Sequence, residues 1–196
     1  MGLDMYLERM PRYKNLKADD IANINGYFSW IAAKEEGSEY ANCTLKEWCG
    51  ASIDNIPEEA IKFYEQFNTV KYQSWDTEHK FGRAQIYESV GYWRKANAIH
   101  KWFVDNVQDG EDDCGYYEVT KEQLEELLDV CIQVRDSSQM QETAQELLPT
   151  QCGFFFGSTE YDEWYVDDLI DTISILTKVL KETDFDNQMV VYTSSW

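Results

Sequence analysis

Histidine, proline and basic side chains are all scarce in this chain. Two histidines leave little material for imidazole chemistry, and neither H-E-x-x-H nor C-x-x-C spacing occurs, so a zinc site is not expected. The acids Asp109, Glu111, Asp112 and Asp113 offer oxygen ligands, but their spacing departs from a calcium-binding loop. No G-x-S-x-G and no kinase signature is present, and the one glycine-bounded candidate for a phosphate loop, CGFFFGS, lacks the lysine. The expectation is therefore binding rather than turnover, with no catalytic residue, cofactor or metal. No apolar run approaches a membrane span. MGLDMYLERM is too short and too charged for the apolar core of a signal peptide, and Tyr6 stands where a myristoylation signal needs Ser or Thr. With three prolines and ten glycines in 196 residues, no linker or low-complexity stretch interrupts the chain.

What is present is acid and aromatic surface. There are 37 acids against 17 bases, a net charge of −20, with 43% hydrophobic and 15% aromatic residues. Such a chain has ample material for a packed core and is not a disordered polyanion. The charge is lopsided: residues 1–101 carry a net −2, residues 102–196 a net −18. The acidic half repels nucleic-acid phosphates and anionic lipid and attracts a basic protein surface. Five cysteines, an odd number without a signal peptide, are expected to be reduced thiols in a cytoplasm.

The periodicities predict an α+β fold, a small and mostly antiparallel sheet packed with several amphipathic helices. GLDMYLE alternates as a strand with Leu3, Met5 and Leu7 inward, and YYEV and QMVVYTSSW read as further strands. The stretch from Lys80 to Val90 is read as extended. Gly91 allows a change of direction, and a helix is predicted from about Trp93 to Val107. Thr44-Leu-Lys-Glu47 and Thr120-Lys-Glu-Gln123 are capping-box signatures. Pro57 opens another helix, a shorter one runs to Leu148, and CGFFFGS is read as a buried strand or tight bend. A long helix carries Tyr161, Tyr165, Leu169, Thr172, Ile173, Leu176 and Leu180 on one stripe. The expected organisation is a single domain, 1–196, with 11–80 as a possible insertion into a core of 81–196.

Two sets of residues carry the functional expectations. On the helix placed at 93–107, Asn97 and His100 fall on the packing side and need polar partners, because an unsatisfied buried group costs about 1–3 kcal/mol. They serve either to fix the core or to line a small pocket, in which Arg94 and Lys95 hold an anionic group while Asn97, His100, Ser158, Tyr161 and Asp162 read the ligand. Trp102 and Trp164 lie off the main stripes and are the aromatics best placed for a rim. The second set is Glu111, Asp112, Asp113, Glu122, Glu125, Glu126 and Asp129, a candidate acidic face for a partner.

Three stretches, MGLDMYL, VGYWRKANAIHKWFVDNVQDGEDDCG and LLPTQCGFFFGSTEYDEWY, resemble a family of small phage and prophage proteins. The likeness covers about the first seven residues and 85–183, and leaves 11–80 unmatched. Members of that family often carry a phosphoglycerate kinase label, but this chain has no nucleotide-binding motif and is too short for the two-lobed kinase. The resemblance implies a phage-encoded accessory protein in the host bacterial cytoplasm. Joined to the charge, it leads to the first functional expectation. This is a protein that binds and inhibits a host defence component, in the manner of an anti-CRISPR protein, by presenting carboxylates to a basic nucleic-acid-binding surface, with no direct nucleic acid or membrane partner. The alternative is a small-molecule or nucleotide-binding protein, or a hydrolase, with a pocket around His100.

Overall fold

The computed structural model describes residues 2–35, 37–50, 56–67 and 87–196; His79 and residues 80–86 of the expected extended stretch lie outside them. The fold is α+β, with a four-stranded antiparallel sheet and helices around it. The chain divides into two compact units, Met1–Met10 with Ser89–Trp196, and Pro11–Glu88.

In the larger unit the strand order is β2-β1-β4-β3, formed by β1 (Asp4–Pro11), β2 (Glu88–Arg94), β3 (Tyr117–Val119) and β4 (Gln188–Ser195). β3 and β4 pair antiparallel, with Glu118 opposite Val191. The alternation of β1 does what its pattern predicts: Leu3, Met5 and Leu7 are fully buried. They meet Trp93 of β2, Val190 and Tyr192 of β4, and the inner faces of the helices in one core. β4 is buried from Met189 to Ser194, on both faces of the sheet.

The helices of this unit are α4 (Asn97–Asn106), α5 (Lys121–Asp136), α6 (Met140–Leu147) and α7 (Glu163–Glu182). α5 begins at a complete capping box, in which Thr120 accepts from the Gln123 amide and Gln123 answers to the Thr120 amide. Its Leu124, Leu127, Cys131 and Val134 are buried, and it packs on α6 and α7. Burial pushes the Cys131 thiol up to about 12. All five cysteines are unpaired.

Two local expectations are corrected. Residues 93–94 finish a strand and are not the start of a helix; Lys95 then turns in a left-handed conformation, φ 62°, and α4 begins only at Asn97. Gly91 makes no change of direction. It lies inside β2 because a Cβ there would stand 2.7 Å from Ile175 Cγ2 and 3.2 Å from Leu7 Cβ, so its absence lets α7 settle on the strand. Of the two readings of CGFFFGS, the tight bend is the one formed and the buried strand is not: Phe156 is buried while Phe154 is 95% exposed.

The smaller unit holds α1 (Ala18–Glu35), α2 (Leu45–Cys49) and α3 (Glu58–Glu65), with a single 3-10 turn at Glu39–Ala41. α1 runs unbroken through Gly26 and buries Ile21, Ile24 and Phe28. The Thr44 capping box is formed. The Tyr64 hydroxyl donates to the Pro11 carbonyl at 2.7 Å, and the Trp30 indole donates to the Cys43 carbonyl at 3.0 Å. No helix among the described residues is long and apolar enough to cross a membrane.

Candidate functional site

His100 is fully buried in the core of the larger unit. Its Nδ1 lies 2.7 Å from the Tyr192 hydroxyl and its Nε2 3.1 Å from Asp112 Oδ2. A carboxylate only accepts, so Nε2 carries a proton, and in the neutral ring Nδ1 then accepts from Tyr192. Asp112 takes the Trp196 indole N–H on its other oxygen, at 3.0 Å. Burial holds the Tyr192 phenol well above its usual range, which keeps it a donor. This chain of bonds ties α4 to the loop before β3 and to β4. The ring is packed edge-on against Phe156, 5.1 Å between centroids. His100 therefore joins three elements of the fold.

A pocket of about 310 Å³ lies where β2 ends and α4 and α7 begin. Five of the seven predicted pocket residues line it: Arg94, Lys95, Asn97, Ser158 and Asp162. His100 and Tyr161 do not. The Tyr161 hydroxyl accepts from the Thr150 amide at 3.3 Å and its ring stands edge-on to Tyr165.

Each wall has a local cause. Asn97, buried at the first position of α4, donates from Nδ2 to the carbonyls of Phe156 and Ser158, at 3.1 and 2.7 Å, and accepts from the Gln151 amide at 3.0 Å. Both Nδ2 hydrogens and one acceptor site of Oδ1 thus clamp the 151–158 loop against α4. Gly157, at φ +90°, lets that loop pass close to Lys95, whose Cβ would lie 3.2 Å from any Cβ added there. Lys95 itself, a non-glycine residue at positive φ, is held in an uncommon backbone state beside the cavity. The Ser158 hydroxyl accepts from the Glu160 amide at 3.1 Å. Asp162 is the N-cap of α7, accepting from the Trp164 and Tyr165 amides at 3.0 and 3.3 Å.

Six lining residues lie outside the expected site set: Ala98, Thr150, Gly157, Glu160, Tyr165 and Asp168. Asp168 is the most informative. Burial pushes its carboxyl up to about 7, and the neighbouring Asp171, Asp167 and Asp162 push the same way. The signal for it was in the sequence, since Asp168 lies three residues after Tyr165 and four before Thr172, on the very stripe that α7 buries. Of the two aromatics expected at a rim, Trp164 is 68% exposed and lines the pocket, whereas Trp102 is buried in the core.

The candidate acidic face is only partly assembled. Glu122, Glu125, Glu126 and Asp129 are exposed at the spacing of one outer face of α5, with Lys121 3.5 Å from Glu125. Glu111 is exposed as well. Asp112 is turned inward to His100, and Asp113 accepts from the Gly115 amide and the Tyr117 hydroxyl, at 2.8 and 2.9 Å. Among the described residues, no group of three His, Cys, Asp or Glu side chains is placed to hold a metal ion. Comparison of the chain with protein-family models, with curated proteins and with solved structures gave no match.

Proposed function

We propose that this is a small-ligand-binding protein whose site is the pocket at the starts of α4 and α7. The observation that carries the reading is the gathering of Arg94, Lys95, Ser158, Asp162, Trp164 and Asp168, from separate parts of the chain, around one 310 Å³ cavity. Binding pockets combine a concave apolar wall with a few converging polar groups and a titratable group shifted by its surroundings. Here the wall is Trp164, Tyr165 and Ala98, and the shifted group is Asp168. The test is a thermal-shift screen over nucleotides, cyclic oligonucleotides, amino acids and amines. A hit is expected to raise Tm in the parent and to lose that effect in Trp164→Ala and Arg94→Gln. A hit that stabilises all three proteins equally is bound elsewhere and counts against the pocket.

A second reading keeps the accessory-protein expectation: a phage product acting in a host cytoplasm on a protein with a basic nucleic-acid-binding surface. It is favoured by the unbroken outer face of Glu122, Glu125, Glu126 and Asp129 on α5. It is weakened by Asp112 and Asp113, whose carboxylates are engaged within their own loop and core. Sensitivity of partner binding to salt decides it.

A further inference from the structure

The lining of the pocket also limits what can enter it, and the following rests on the reading that the pocket is a ligand site. Its charges are of both signs and come from different elements. Arg94 and Lys95 end β2 beside the first turn of α4, where Ala96 stands at the N-cap and no side chain caps the helix. Two cations next to an uncapped helix start favour an anionic group. The start of α7 is different, because its amides are already taken by its own Asp162. It offers no second seat for an anion.

On the α7 side the pocket instead presents Glu160, Asp162 and Asp168, next to the exposed Trp164 ring. An aromatic face flanked by carboxylates suits an ammonium or guanidinium group. Arg94 faces Asp4 at 4.0 Å, and among the described residues no ion pair joins either base to the α7 acids. Lys95, Glu160 and Asp168 are thus left to meet a ligand, while Arg94 is shared with Asp4 and Asp162 with the α7 amides. A polyphosphate that reached across the cavity would meet the carboxylates of Glu160 and Asp162, a like-charge clash that selects against it. The volume, about 310 Å³, lies at the low end for ligand pockets and suits a molecule of roughly amino-acid size.

We infer that the pocket takes a small zwitterion, with its anionic group toward Arg94, Lys95 and the start of α4 and its protonated amine toward Glu160 and Asp168, lying over Trp164. The selectivity comes from pairing at both ends. A ligand lacking one charge forgoes the charge-assisted contacts at that end, a loss of about tenfold in affinity.

The test uses three matched probes on the full chain: 4-(aminomethyl)benzoate, 4-methylbenzoate and 4-methylbenzylamine, with AMP as a fourth. Affinity is read by calorimetry, and the place of binding by the Trp164 indole resonance in two-dimensional NMR. The zwitterion is expected to bind at least about tenfold tighter than either single-charge analogue. Lys95→Gln should erase its advantage over the amine, and Asp168→Asn its advantage over the acid. Equal affinity for the zwitterion and one analogue overturns the inference, as does tighter binding of AMP. In either case a shifted Trp164 signal leaves the ligand-site reading standing. If none of the probes, nor any compound of the wider screen, moves the Trp164 resonance, the ligand-site reading falls together with the inference.

Discussion

At the scale of single residues, two buried carboxyls set how stability responds to pH. Glu8 is 6% exposed, and burial pushes it to about 7; Asp168 is raised to about 7 by burial and its acidic neighbours. Both groups hold protons more tightly in the folded chain than in the unfolded one. Their favourable contribution is complete below the unfolded carboxyl range and is lost as pH rises through about 7. Each change is on the order of 2–3 kcal/mol. Urea unfolding at pH 5 and pH 8 checks this: the parent should be less stable at pH 8, and Asp168→Asn should recover part of the difference. An Asp168→Asn variant with the parent's full pH dependence would rule the carboxyl out as a source. The same scale shows what a lone sequence reveals. That Asn97 and His100 face inward and need partners follows from helical spacing. Which partners they find does not, because His100 bonds Tyr192 across 92 positions and Asn97 bonds backbone groups whose place depends on a turn at Gly157.

At the scale of elements, strong local signals were readable and junctions were not. Both capping boxes form as spelled out by their four residues, and α7 buries Tyr165, Leu169, Thr172 and Leu176 of the expected stripe, with Val179 in place of Leu180 at its end. The junction of β2 with α4 misleads because two periods overlap there. Gly91 and Trp93 alternate inward as a strand requires, while Trp93, Ala96, Asn97 and His100 also satisfy helical intervals. Nothing about a lysine announces the positive φ that separates the two elements. The close seat of α7 on β2 gives a direct prediction. Gly91→Ala should destabilise by about 1–3 kcal/mol through overpacking against Ile175 and Leu7, read as a lower urea midpoint. Unchanged stability would mean that Ile175 moves aside without loss.

At the scale of the whole molecule, charge is distributed by unit. Met1–Met10 with Ser89–Trp196 carries 24 acids and eight bases, a net −16, whereas Pro11–Glu88 carries 13 and nine. For the acidic-face reading, the expectation is a host protein captured at low salt and released as salt rises. Capture should also be lost when Glu122, Glu125, Glu126 and Asp129 are neutralised together. Capture indifferent to both changes removes that reading.

Asp168 has one more consequence, for anyone who engineers this chain. An ionisable side chain held where water is scarce weakens the fold, so directed evolution toward heat tolerance should replace it early. The hardened descendants would be easier to handle in the laboratory, and under the zwitterion proposal they would also have lost their preference for an amine-bearing visitor.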